Sequence, residues 1–332
     1  MKKLLLFIVF FALFAGMVYA ADPHLLWQNL LQMRWTILMC AGVWGVGYLL
    51  NAVSFGTVLS IYPPKRPICS FEVLRLTIAG YAINYVTPFG LLGGEPYRVW
   101  CLRKYFSTEN AASSVLLYSM MHICSHFLFW IIGCVMAVVL LPQIGWKLGI
   151  VLSVIVLLCV VAIVFFFRGY RSGLVLSIVQ YLTYIPWIGK RIGRWQANRQ
   201  HLLLQIDTGI SNLLLKHPRR FWIALGMELL SRMINVIEVM ILLRQMDIIP
   251  FESLYGAAYL VVAFSSLFAN LLFFSPLQLG TREGGILLVL QQLVPTVGYA
   301  ALLPVAVSIS LATRLREFFW IGIGLLLTFI RK

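Results

Sequence analysis

The chain has 332 residues, 61% hydrophobic and only 11% charged, with a net charge of +15 and a mean hydropathy of +0.92. Soluble domains are about half apolar and about a quarter charged, so this balance excludes an ordinary water-soluble domain and implies a polytopic helical membrane protein. The Lys and Arg fall in short loops between apolar runs, which fits the positive-inside rule better than a nucleic-acid-binding face. Anionic lipid headgroups are therefore the expected partners, and nucleic acid is not.

The N-terminal stretch, Lys2-Lys3 followed by an apolar run from Leu4 to Val18 and then Tyr19-Ala20, reads either as a signal peptide or as an uncleaved first helix over 4–21. The uncleaved anchor is the preferred reading, and residue 22 lies outside in both. HLLWQNLLQMRW, residues 24–35, is an amphipathic piece for the outer interface. A span over 35–60 ends at the basic, proline-broken YPPKRP, a cytoplasmic loop. The apolar stretch 71–87 stops at Thr87-Pro88, and Arg98, Arg103 and Lys104 soon follow. Basic residues on both sides of one short segment predict a re-entrant hairpin over about 71–98.

Spans over 111–141 and 147–167 come next. Residues 168–220 carry many Lys and Arg against the single acid Asp207 and form the main cytoplasmic loop, amphipathic on an anionic leaflet. Residues 221–243 cross outward. A second re-entrant motif over about 251–297 breaks at Ser275-Pro276, and 299–330 returns inward, leaving Arg331-Lys332 in the cytoplasm. This arrangement puts Arg34, Lys147 and Arg244 outside, Arg232, Arg282, Arg314 and Arg316 at membrane depth, and every other Lys and Arg on the cytoplasmic side. The expected fold is a single all-α integral membrane domain, 1–332, with two inverted re-entrant hairpins in the cytoplasmic membrane.

The two breaks share a pattern. Asn84, Thr87-Pro88 and Glu95 match Asn270, Ser275-Pro276 and Glu283, with glycine between in each: Gly90, Gly93 and Gly94 in the first, Gly280 in the second. Proline removes a backbone donor and disfavours helix at the preceding residue. The freed backbone groups survive at membrane depth only when buried in protein or lining a wet cavity. Paired broken segments in inverted halves are the best sequence pointer to a transport site. An ionised carboxylate there costs at least about 2.5–3.5 kcal/mol and needs a partner. Arg98 lies three residues beyond Glu95, at helical spacing. Arg282 is adjacent to Glu283 and points away on a helix, so Arg314, Arg316 or Arg232 is its expected partner. The competing reading is that both motifs are packing devices with a Glu–Arg pair as glue.

Other residues are less specific. Glu228, Arg232, Asn235 and Glu238 form a polar stripe, facing either a transport path or an internally neutralised seam. His122 and His126 stand four apart, a weak metal pattern, and bundle-facing hydrogen-bonding histidines are favoured over a proton relay. The six cysteines form no CxxC pair and read as small core residues. No nucleotide-binding loop, nucleophile elbow or zinc-protease motif occurs. No metal, cofactor or catalytic residue is expected. Gly42 and Gly45-Val46-Gly47 allow a close helix contact without giving a clear dimer motif; a homodimer or an envelope-assembly partner stays open.

T-P-x-G-x-x-G-G-E-P-x-R, from Thr87 to Arg98, followed by S-P-x-x-x-G-x-x-E, from Ser275 to Glu283, resembles the transmembrane region of the lysylphosphatidylglycerol synthase family, over essentially the whole chain. The resemblance implies translocation or handling of a lipid across the cytoplasmic membrane. By position it carries over Thr87, Pro88, Gly90, Gly94, Glu95 and Arg98 from the first motif, and Pro276, Gly280 and Glu283 from the second. Bifunctional members add a soluble aminoacyl-transfer domain. This sequence, ending at Lys332, leaves no room for one, so lysine transfer is not expected and the lipid stays open. The expectation is a flippase whose headgroup is held by Arg98 and Arg314, with Glu95 and Glu283 as countercharges or a proton-coupled pair. A headgroup-modifying enzyme with either glutamate as base, and an accessory subunit acting through 168–220, are the alternatives.

Overall fold

The structure, a computed structural model, describes residues 2–330 except 88–92, 142–143, 173, 185, 187–188, 199, 201–202, 205–206, 209–214, 273–274 and 276–277. The described elements are all helical: α1 Lys2–Ala20, α2 Pro23–Gln32, α3 Arg34–Leu59, α4 Ser70–Val86, α5 Gly94–Leu102, α6 Thr108–Leu140, α7 Trp146–Ser172, α8 Leu174–Thr183, α9 Gly189–Asn198, α10 Pro218–Met246, a 3-10 turn Phe251–Ser253, α11 Leu254–Leu271, α12 Thr281–Leu293 and α13 Tyr299–Thr328.

Local chemistry sets several ends. Asp22 caps α2 by accepting from the His24 amide, with Pro23 at the first helical position, where its missing N–H costs nothing. Ser107 caps α6 by accepting from the Asn110 amide, and Pro218 opens α10. Asp247 closes α10 in the left-handed conformation at φ 50. The piece expected at the outer interface packs one side on the bundle and leaves Leu25, Trp27, Leu31 and Trp35 exposed. Leu26 and Met33 are buried, and Asn29 donates to Ser308 of α13 at 3.0 Å.

Among the described residues, four helices are long and apolar enough to cross a membrane: 34–59, 108–140, 146–168 and 251–271. α10 and α13 are of similar length but carry Glu228, Arg232 and Glu238, and Arg314, Arg316 and Glu317. Their failure to read as apolar spans is therefore informative: these two helices bring the charge inside. α10 packs against α3, α6 and α11, and α13 against α3, α4 and α12.

Two apolar regions fill the bundle. At one end, Met33, just before α3, and Cys40 of α3 join Phe129 and Trp130 of α6, Val239 and Leu242 of α10, and the buried residues between Leu302 and Ala312 of α13. Toward the other, Phe55 of α3 packs with Leu76 and Tyr118, and Val58 with Leu117 and Phe221. Between them lies a polar belt. It crosses α3 at Trp44–Tyr48, α6 at His122–His126, α10 at Glu228–Asn235 and α13 at Arg314–Glu317, in each case near the middle of a membrane-length helix.

Candidate functional site

The first break lies between α4 and α5. α4 ends at Val86 with Thr87 extended, and the Thr87 hydroxyl donates to the Asn84 carbonyl at 3.3 Å. Asn84 spans the gap: its Oδ1 accepts from the Gly94 amide at 2.7 Å and its Nδ2 donates to Glu95 Oε1 at 3.1 Å. Gly94 is required here, because a Cβ would collide with the Gly80 carbonyl on α4. Glu95 lies in the first turn of α5, where the helix dipole favours an acid. Arg98 is 3.6 Å from its Oε1, the pairing that helical spacing predicts.

Arg98 is only 1% exposed. It donates to the carbonyls of Leu76 and Thr77 and lies over the rings of Tyr81 at 4.9 Å and Tyr118 at 5.3 Å. The tight passage of α4 past Arg98 depends on Gly80, whose added Cβ would strike the guanidinium. Pro88 and Gly90 fall outside the described residues.

The second break runs from Leu272 to Gly280. α11 ends at Leu271, four residues before Ser275, the position at which proline placement predicts the stop. The reason is a compact turn. Ser275 donates from its amide to the Leu272 carbonyl and Gln278 from its amide to the Ser275 carbonyl, while the Ser275 hydroxyl donates to the Leu279 carbonyl at 3.0 Å. Gln278 and Gly280 adopt left-handed φ values of 56 and 75. Pro276 lies outside the described residues. Asn270, the formal match of Asn84, is exposed and donates back to the Ser266 carbonyl, so the two breaks are not held alike.

Glu283 sits in the first turn of α12 with 0% exposure. Its Oε1 accepts from the Ser310 hydroxyl at 2.5 Å and from Arg314 at 2.8 Å, both on α13. Arg314 also donates to the Gln278 carbonyl at 3.3 Å, tying the break to the middle of α13. Arg282 turns the other way, to Glu317 and to Gln278 Oε1, each at 2.8 Å. The seam continues: Arg316 makes a two-pronged bond with Glu238 of α10 at 2.8 and 2.9 Å, its guanidinium stacked 3.7 Å over Trp44, and the Trp44 indole donates to the same carboxylate.

Arg232 forms an ion pair neither in this seam nor with Glu228, four residues before it on the same helix. It donates to Ser125 Oγ at 2.7 Å and to the His122 carbonyl at 2.9 Å, while Glu228 pairs with His122. The packing of α6 against α10 places acceptors closer to Arg232 than its own helix does. Tyr81, Tyr118, Trp44, Gln278 and Ser310 carry no local motif, and only the packed helices bring them to the belt. Among the described residues no cluster suits a metal ion.

The two break glutamates share one feature. Among the described residues, each uses Oε1 for every bond it makes and leaves Oε2 buried with no hydrogen-bond partner. Glu95 also reaches a groove of about 410 Å³ between α5 and α6, shared with Trp100, Arg103, Thr108 and Leu116, and its side chain is 28% exposed.

A helical bundle with several membrane-length apolar helices is an integral multi-pass membrane protein. The chain matches the model of the lysylphosphatidylglycerol synthase TM region over residues 3–324 and belongs to that family. No curated protein and no solved structure matches it.

Proposed function

We propose that the protein moves a lipid headgroup across the cytoplasmic membrane, with the two breaks as re-entrant hairpins of opposite orientation that meet at the polar belt. Its family is named for the membrane region of a lipid synthase, which supports a lipid substrate. The observation that carries the reading is the pair of glutamates, each opening the helix after a break and each with one buried carboxylate oxygen unpartnered. Such an acceptor costs about 1–3 kcal/mol when left unmade, and a hydroxyl or ammonium of a passing headgroup relieves it. Arg98 and Arg314 fix the carboxylates, and the neighbouring cations suit a phosphate. Acyl chains stay in the bilayer, with the groove beside Trp100 as the lateral opening. The positive-inside rule supports a cytoplasmic C-terminus.

A headgroup-translocation assay in proteoliposomes tests this. The Glu95→Gln, Glu283→Gln double variant is expected to lose at least about tenfold in flux, or 1.4 kcal/mol. Unchanged flux in a variant that inserts normally refutes the carboxylate role. The same unpartnered oxygen of Glu95 also suits a general base, so a membrane-embedded headgroup-modifying enzyme is the second reading. Lipid mass spectrometry separates them: loss of a modified species on deletion favours the enzyme, and an unchanged inventory with altered leaflet distribution favours transport.

A further inference from the structure

The polar belt holds a second centre that the break motifs do not use. His122 Nδ1 on α6 is 2.8 Å from Glu228 Oε2 on α10. The same nitrogen is 3.0 Å from the Tyr81 hydroxyl, which is 2.9 Å from the Tyr118 hydroxyl. Glu228 is 1% exposed, and among the described residues its Oε1 is buried without a hydrogen-bond partner. No Lys or Arg forms an ion pair with it among the described residues; Arg232, one turn along, is committed to Ser125 and the His122 carbonyl. The His122 side chain, by contrast, keeps 30% of its surface accessible.

A buried carboxylate whose closest ionisable partner is an imidazole is costly unless the imidazole carries a proton. Histidine is the side chain whose ordinary titration falls near neutral pH. The unpartnered oxygen excludes a site already satisfied by fixed donors. The burial of Glu228 leaves room for little beyond a proton, and the accessible ring gives that proton a way in.

We propose that His122 and Glu228 form a proton-binding site, loaded through the imidazole and linked to the first break through Tyr81 and Arg98. This rests on the translocation reading and names its coupling ion. On loading, a hydronium gives up its proton, an N–H bond forms on the ring, and water is left; no electrons change hands. The loaded site is an imidazolium against a carboxylate. The empty site is a neutral ring against a carboxylate whose charge is faced by Arg232 and Arg98 without an ion pair, and which draws on the Tyr81 hydroxyl. The groups facing the pair are Tyr81 of α4, whose ring also meets Tyr48 of α3 at 5.6 Å, Arg98 of α5, Tyr118 and His126 of α6, and Arg232 of α10. Tyr259 of α11 meets α6 further along, at the Phe129 carbonyl. Arg98 stacks over both tyrosines and is paired with Glu95, so a change of charge at Glu228 reaches the break through contiguous contacts.

The test is pH-jump infrared difference spectroscopy on the full chain in lipid nanodiscs. Wild type is expected to show histidine and carboxylate bands that change together, and Glu228→Gln to lose that carboxylate component. Superimposable wild-type and Glu228→Gln spectra overturn the proposal. Where the glutamine variant fails to insert, Tyr81→Phe, which keeps both proton-binding groups, carries the test. It is expected to move the midpoint of the histidine band, and an unmoved midpoint overturns the proposal. In proteoliposomes the ratio of wild-type fluxes at two pH values should collapse toward one in Glu228→Gln. If wild type moves no lipid, the translocation reading fails, while the spectra still decide the proton site.

Discussion

At the scale of the residue, the buried charges divide into those that are fully engaged and those left partly open. Arg316 and Glu238 are the first kind: both are buried, two-pronged and stacked on Trp44. Removing one partner of such a pair strands the other, at about 3–5 kcal/mol. Glu238→Leu or Arg316→Met alone should therefore lower thermal stability in detergent sharply, while the Glu238→Leu, Arg316→Met double variant should lose less than the two single losses summed. A double-mutant cycle that is additive would show that the pair does not act as a unit. Gly94 is a second sensitive position. Gly94→Ala drives a methyl into the Gly80 carbonyl, an overpacking cost of about 1–3 kcal/mol, and a melting temperature equal to wild type would contradict it. Legibility at this scale follows distance along the chain. Glu95 with Arg98 is a one-turn relation and can be read directly. Glu283 with Arg314 spans two helices, and local spacing goes only as far as rejecting Arg282. Glu228 with Arg232 satisfies the i+4 rule and is not formed, because α6 offers His122 to one and Ser125 to the other.

At the scale of the element, the breaks were legible because proline and glycine act on their own backbone. Their extents were less so. Proline bars helix at Ser275, but α11 stops earlier because the turn from Leu272 to Gly280 needs left-handed geometry at Gln278 and Gly280 and closes on the Ser275 side chain. The apparent repeat overstates the symmetry in the same way: Asn84 binds across its break and Asn270 does not. The contact of α13 with α4 depends on Gly324, where a Cβ would come within 2.9 Å of the Ile78 carbonyl and against Ala82. Gly324→Val should push these helices apart. Since α4 carries Asn84 and Tyr81, the variant should lose stability and disturb the first break, with greater protease or hydrogen-exchange sensitivity around Thr87. Unaltered exchange there would mean that α13 does not brace α4.

At the scale of the whole molecule, composition gives the class, while the order of charges along the chain gives an expected orientation that an experiment can check. The polar belt was only half visible in the sequence: charges in α10 and α13 mark those helices as interior, but their meeting with Trp44, Tyr81 and His122 is a property of packing. Orientation can be checked with a native probe. Of the cysteines, Cys69 is exposed and Cys40, Cys101, Cys124, Cys134 and Cys159 are buried. Cys69 follows the basic Lys65 and Arg66, just before α4, in a stretch that the positive-inside rule assigns to the cytoplasm. A membrane-impermeant maleimide should therefore label the wild-type protein in inside-out vesicles and leave right-side-out vesicles unlabelled, and Cys69→Ser should abolish the signal. Labelling from the outer face would invert the first hairpin and the net placement of positive charge with it. The two breaks would then no longer enter from the faces that the translocation reading requires.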